Sequence, residues 1–229
     1  MAEFHDEAEA PKSNVPKLYY WGLHGRAEAM RLAFTLAGIE FEDIRLEGPG
    51  WGKMKTSLLP TMPQANIPML EIDGKMYSEA KACLRYVGTI ANMVPSNPTD
   101  QLSMDEIIAY SDNIFGCVGF AFSGASEDEK KKTAEESAVK GGQLYSVLSN
   151  YETILKGCAD GWVAGKNMSI ADLWLFSLFS FLASPMFPFP SNFMEDFPTI
   201  NAYRKKIGTI PAVQAKYADA TGPYSSFKY

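Results

Sequence analysis

The hydrophobic period of this chain changes once, and that change restricts the fold more than any other feature. Before it, short alternating or aromatic runs take turns with helical spacing. After the stretch "NMVPSNPTDQ" (92–101), no strand pattern returns. That stretch has two prolines and no apolar period, so it reads as a linker. A small α/β unit followed by an all-helical one is the organisation this predicts.

Within the first unit, "LYYW" (18–21) reads as a strand by its aromatics and the glycines that follow. A helix is expected over 26–37, where Ala27, Met30, Ala33, Phe34 and Ala37 recur at i, i+3, i+4 spacing and Gly38 suits the C′ position. "EFEDIRL" (40–46) alternates as a strand, a Gly/Pro-rich loop covers 48–52, and 53–64 is a polar stretch. "IPMLEIDGKMYS" holds two strands joined at Asp73 and Gly74, a dipeptide favoured in type I′ hairpins. Residues 79–91 read as a helix. The second unit is expected to be helical over 101–122, 128–156, 169–183, 199–207 and 210–218. "NMSIADLWLF" adds a start signal: Ser169 at the N-cap, Asp172 at N3 as a capping box, and Met168 with Leu173 as a hydrophobic staple.

Composition excludes several classes of function. A net charge of −6, with no Arg/Lys cluster interleaved with aromatics, argues against nucleic acid as a partner. "EKKKTAEE" (129–136) mixes signs at helical spacing, as a solvated helix face does. The three cysteines, Cys83, Cys117 and Cys158, have neither C-x-x-C nor metal-ligand spacing. No metal site is expected, and the odd count suits free thiols in a reducing compartment. The most apolar run, 170–190, is broken by Asp172, serines and prolines, and predicts a buried core helix rather than a membrane span. Residues 1–15 are polar and acidic with no secretory pattern, so a soluble cytoplasmic protein with a flexible N-terminal tail is expected.

The order "YYWGLHGRAEAMRLAFTLAGIEFED", then Ile67 and Pro68 opening the third strand, then Ser169-Ile-Ala-Asp172 in the helical half, resembles the cytosolic glutathione S-transferases over residues 16 to 218. The likeness is nearest to the tyrosine-type classes, sigma above all. It implies a thioredoxin-like glutathione-binding domain (16–92), a linker (93–102), and a helical domain (103–229) that builds the second-substrate pocket. The family pattern is an aromatic pair, three residues, then Gly-Arg-Ala-Glu. Tyr20 and Trp21 match the pair, and Tyr20 becomes the catalytic hydroxyl. Tyr19 then points to the other face of the strand and is expected in the core. Gly-Leu-His-Gly stands where thioredoxins carry C-x-x-C, which excludes dithiol exchange. Arg26 would add positive charge beside the sulfur, unless it pairs with Glu28 or another carboxylate. His24 lies in the turn with no partner visible in sequence.

The remaining glutathione contacts are also carried by the resemblance. Trp51 and Lys55 match a Trp-x-x-x-Lys arrangement for the glycine carboxylate, and Ile67 with a cis Pro68 would pair with the cysteinyl backbone. Asn66 stands where the family often has Gln. Glu79 and Ala80 replace the usual Gln-Ser or Glu-Ser that holds the γ-glutamyl end, which removes one hydroxyl donor. A family acid that reaches across the subunit boundary falls at Asn113, beside Asp112. Gln64 stands where some classes put an aromatic dimer lock, so a homodimer with a polar interface is implied. Tyr110, Phe115 and Val118 are candidates for the second-substrate pocket, and "PMFPFPSNF" (185–193) either closes one side of it or is a packed connection. The implied activity is attack of the glutathione thiolate, as co-substrate, on small hydrophobic electrophiles, with isomerase or peroxidase side activity on the same chemistry. The alternative is a non-catalytic binding or structural protein of the same fold.

Overall fold

In a computed structural model that describes residues 15–229, β1 (Lys17–Trp21) runs into a short 3₁₀ turn (Gly25–Ala27) and α1 (Glu28–Ala37). The tail expected over 1–15 lies outside the described residues except for Val15. Gly38 closes α1 in the left-handed region, at φ 65°, with its N–H on the carbonyls of Phe34 and Thr35. β2 (Glu42–Leu46), α2 (Gly48–Leu58), β3 (Met69–Ile72), β4 (Lys75–Tyr77) and α3 (Ala80–Ile90) follow. The four strands form one sheet in the order β2-β1-β3-β4. β1 and β2 are parallel and the other pairs antiparallel, with Tyr19 opposite Ile44 on one side and Met69 on the other. Asp73 and Gly74 both take positive φ, 52° and 77°, as a type I′ turn requires.

The expected loop over 48–52 is instead the start of α2. Gly48, Gly50 and Gly52 hide it from propensity reasoning, while Pro49 in the first turn is pre-set for helix. No residue of α2 is fully buried, so no strong apolar stripe marked it in the sequence.

The second unit is helical: α4 (Pro98–Tyr110), α5 (Asp112–Val118), α6 (Glu127–Ala138), α7 (Gln143–Lys156), α8 (Ile170–Leu182), α9 (Pro198–Gly208) and α10 (Pro211–Tyr217). α4 begins inside the stretch read as linker, because the Asn97 side chain accepts the Thr99 N–H and caps it. The helix expected over 101–122 breaks at Ser111. Its hydroxyl donates to the Ile108 carbonyl at 2.6 Å and accepts the Trp174 indole N–H at 2.8 Å, so a side-chain bond competes with the helical ladder. The helix expected over 128–156 breaks between Ala138 and Gln143, across Val-Lys-Gly-Gly. A short 3₁₀ segment (Gly222–Phe227) near the C-terminus had no counterpart in the sequence reading.

Every residue of α8 is buried, as its unbroken apolar run requires. It is the axis of the helical unit and packs directly on α1. Asp172 sits at its start, fully buried, and forms no salt bridge among the described residues. The carboxylate accepts the Ser169 N–H (2.6 Å), the Ser169 hydroxyl (2.7 Å), the Val163 N–H (3.0 Å) and the Tyr203 hydroxyl (2.5 Å). The capping box is therefore also a junction between α8, α9 and the loop before α8. Asp172→Ala strands these donors in a site closed to solvent, and a loss of about 3–5 kcal/mol is expected in urea unfolding. A loss under about 1 kcal/mol would show that the junction is dispensable.

Candidate active site

The parallel pairing of β1 with β2 and the antiparallel pairing with β3 bring one set of segments to one end of the sheet. Trp21 pairs with Leu46, so α2, which carries Trp51 and Lys55, leaves from the same end as the Gly22–Leu23–His24–Gly25 turn. Continuing the β1–β3 register sets Pro68 opposite Tyr20, and the Ile67-Pro68 bond is cis. β4 ends at this edge too and delivers Glu79 and the first turn of α3. Tyr20, Arg26, Trp51, Lys55, Ile67, Pro68, Glu79 and Ala80, far apart in sequence, thus share one rim.

Pleat alternation separates the two tyrosines. Tyr20 is 7% exposed and faces the turn, where its hydroxyl oxygen accepts the Arg26 backbone N–H at 3.2 Å. Burial raises its pKa against the opposing influence of the Arg26 N–H and the charges of Arg26 and Arg31. The phenol therefore keeps its proton at neutral pH and can donate it in a hydrogen bond. Tyr19, expected in the core, is half-buried on the opposite face. Its O–H is already given to Glu71 at 2.6 Å, and burial with the Glu71 charge pushes its pKa up to about 12. Of the two phenols at this strand end, Tyr19 gives its O–H to Glu71, and Tyr20 donates to no acceptor among the described residues.

Arg26 does not pair with Glu28. Its guanidinium stacks 3.6 Å over the Phe115 ring and lies 4.0 Å from the Asp112 carboxylate, both on α5. Asp112 also binds Lys81 of α3 at 2.6 Å, so it ties α5 to the first unit within one chain. Glu28 is instead buried against Arg31 at 2.9 Å. Arg31 donates to the carbonyls of Leu23 (2.9 Å) and Trp21 (3.4 Å) and to Asp43 (3.0 Å), holding the turn from beneath. Sequence reasoning missed Arg31; its place on the apolar face of α1, beside Ala27 and Phe34, was the available signal.

On the rest of the rim, the Lys55 ammonium lies 5.7 Å from the Trp51 ring. The Asn66 side chain accepts the Ile67 N–H at 3.0 Å. Glu79 takes φ 73°, a conformation rare for a residue with a side chain, immediately before α3. Ser78 turns away to the Gln64 carbonyl at 3.1 Å. Of the pocket candidates, Phe115 faces Arg26. Val118 is 2% exposed and belongs to the helical core, and the Tyr110 hydroxyl oxygen accepts an N–H of the Asn150 side chain at 2.8 Å. The 185–193 stretch is a packed connection, with Phe187 buried against Phe181 and Phe189.

His24 is fully buried between Phe181, Tyr224 and Phe227. Its Nδ1 accepts the Gly25 N–H at 2.9 Å, so the ring proton sits on Nε2, which donates to the Pro223 carbonyl at 3.0 Å. Burial lowers its pKa to about 4, with Pro223 and Glu28 opposing and Arg31 and Arg45 reinforcing. A ring this buried is no general base for a substrate.

Family models for the glutathione S-transferase N-terminal and C-terminal domains match residues 16–89 and 117–219. Hematopoietic prostaglandin D synthase of Gallus gallus is 28% identical over 199 residues, 87% of this chain and 93% of that protein. Glutathione S-transferase 3 of Caenorhabditis elegans is 31% identical over 161 residues, 69% of this chain and 75% of that one. The crystal structure of a monomeric glutathione S-transferase from the hookworm Necator americanus aligns with a TM-score of 0.72 at 27% identity, covering 90% of this chain and 97% of that one.

The folded pKa of His24, about 4, lies below the ordinary 6.5. Its contribution to stability is therefore complete above about pH 6.5 and lost as pH falls toward the folded value. Between about pH 7.5 and pH 4.5 the wild type should lose about 2.5 kcal/mol more than His24→Asn, which does not titrate. Equal losses in urea titrations would contradict a neutral buried ring.

Proposed function

Given that this chain belongs to the glutathione S-transferase family, we propose that it is a tyrosine-type transferase of sigma-like class in which Tyr20 activates the glutathione thiol. The observation that carries this reading is the Tyr20 hydroxyl: protonated, receiving the Arg26 N–H on its oxygen, and donating to no acceptor among the described residues. A free thiol has a pKa of about 8.5, and only the thiolate is a good nucleophile. Lowering that value by two units takes about 2.7 kcal/mol of preferential interaction with the charged form. A phenol O–H to sulfur, strengthened by the N–H that its oxygen accepts and by the Arg26 charge, is the right size of effect.

The rest of glutathione follows the rim. The α3 N-terminus, with Glu79 and Ala80, takes the γ-glutamyl carboxylate and ammonium. The backbone of Ile67, beside Pro68 and Asn66, takes the cysteinyl part, and Trp51 and Lys55 take the glycine carboxylate. Trp21 completes the wall beside Tyr20. The electrophile, a small hydrophobic molecule, enters between this rim and α5, where Phe115 supplies apolar surface. The prostaglandin D synthase relative extends the reading to isomerisation by the same thiolate.

The protein acts as a homodimer in this reading. Tyr77, Tyr86, Ile90 and Leu102 leave apolar surface exposed along β4, α3 and α4. Light scattering should give about twice the 25.3 kDa of one chain, and a monomer at micromolar concentration would refute this part.

Tyr20→Phe removes one hydroxyl and no packing. Conjugation of an aryl halide at neutral pH should fall on the order of 10- to 100-fold, with glutathione affinity nearly unchanged. Wild-type rates in that variant would sink the assignment. Ala80→Ser restores the missing donor and should tighten glutathione binding by about 0.5–1.5 kcal/mol, lowering KM while kcat barely moves. Calorimetric titration showing unchanged affinity would place the carboxylate elsewhere.

A further inference from the structure

The C-terminal segment Gly222–Phe227 lies about 200 residues from Tyr20 in sequence, yet three hydrogen bonds and one peptide unit join them. The Pro223 carbonyl accepts His24 Nε2–H at 3.0 Å, and His24 Nδ1 accepts the Gly25 N–H at 2.9 Å. The next amide along, Arg26 N–H, donates to the Tyr20 hydroxyl at 3.2 Å. We infer that His24 is a positioning residue for the reaction, coupling the C-terminal segment to the Tyr20 hydroxyl through the Gly25 and Arg26 amides.

Three features make this a coupling rather than a chance of packing. Gly25 holds φ 42°, and a Cβ there would stand 2.7 Å from the Tyr20 oxygen, so the turn touches the phenol and any rotation of this peptide re-aims the Arg26 N–H. The segment is itself fixed: Phe227 is fully buried, the Ser226 hydroxyl donates to the Ser180 carbonyl at 2.7 Å, and Arg204 donates to the Ser226 carbonyl at 3.0 Å. The imidazole bridges an N–H donor and a carbonyl with a single tautomer, a task that an apolar side chain of the same volume cannot perform. His24 does not reach solvent, so it acts on the substrate only through Tyr20.

The consequence concerns the acidity of bound glutathione. An N–H aimed at the phenol oxygen makes the phenol a stronger donor to sulfur. Loosening the Gly25–Arg26 peptide weakens that donor without touching the rim residues that bind the tripeptide. The signature is therefore a shifted thiol pKa with unchanged affinity.

The inference rests on the reading that Tyr20 donates to the thiolate, and the experiment separates the two. The pH profile of kcat/KM with an aryl halide is measured for wild type, His24→Gln, His24→Asn and Tyr20→Phe, together with the glutathione Kd. His24→Gln can still donate toward Pro223 but leaves Gly25 without its acceptor. It should raise the apparent thiol pKa by about one unit, a roughly tenfold loss near pH 6 that closes at high pH, with Kd within about twofold of wild type. His24→Asn, which keeps an acceptor for Gly25 and loses the tail, should lie between. A folded His24→Gln with the wild-type profile overturns the inference. Wild-type rates in Tyr20→Phe overturn instead the functional reading beneath it. Should His24→Gln fail to fold, proton NMR of the unmodified chain decides: it has two histidines, and the ring signals of His24 should shift on adding glutathione in wild type but not in Tyr20→Phe. Unmoved signals in wild type overturn the inference equally.

Discussion

The buried Glu28–Arg31 pair on α1 is the interaction from which the rest of the architecture around the site hangs. Both groups are inside the protein, three residues apart and 2.9 Å from one another. Desolvating two charges offsets much of their attraction, so the pair is poor evidence for stability by itself. Its significance lies in what else the two groups must satisfy. Arg31 spends its remaining donors on the Trp21 and Leu23 carbonyls and on Asp43, which fixes the turn after β1 and the edge strand β2. Glu28 accepts the Tyr217 hydroxyl at 2.5 Å and faces that of Tyr224, drawing α10 and the C-terminal segment onto the first unit. Burial raises the pKa of Tyr217 well above its ordinary value, and Glu28 raises it further, so this phenol stays a donor.

Seen from that pair, the candidate site is a rim supported on two sides. From below, Arg31 grips the turn; from the helical unit, Phe115 and Asp112 hold the Arg26 side chain, and Asp112 also holds Lys81 on α3. The exposed ion pairs contribute little energy. Their value is placement: the Arg26 side chain keeps its position only while α5 keeps its distance from the sheet. That distance is set by α8, buried throughout, packed on α1 and pinned at its start by Asp172. Buried Glu152 performs a similar service on α7, accepting the Thr199 and Ile200 N–H groups and capping α9 from outside its own chain segment.

Much of the architecture was legible in the sequence wherever one residue's neighbours in the chain decide the outcome. The single change of hydrophobic period separated the mixed sheet from the helical unit. Asp73 and Gly74 announced their hairpin, Gly38 the end of α1, and Ser169 with Asp172 the start of α8, because turns and caps are closed by residues within four positions. The alternation of β1 set Tyr19 and Tyr20 on opposite faces for the same reason, but the expected burial was reversed: Tyr20 is the buried one and Tyr19 is half-buried. Where tertiary contacts override local preference, the sequence misled: the glycine-rich start of α2 read as a loop, the Ser111 break in the α4–α5 run was invisible without Trp174, and the linker ended early because Asn97 caps Pro98.

What the sequence by itself determined is therefore the order and type of most elements, and the placing of Tyr19 and Tyr20 on opposite faces of β1. What only the tertiary structure decided is how those residues are held. Arg26 turns to Phe115 and Asp112 rather than to Glu28, Arg31 proves to be the cation beneath the turn, and His24 is a buried bridge to Pro223. For Arg31 and His24 the physical reason is burial. A guanidinium or imidazole removed from water must find every partner within the protein, and here those partners come from strands, helices and a C-terminal segment that no local pattern connects.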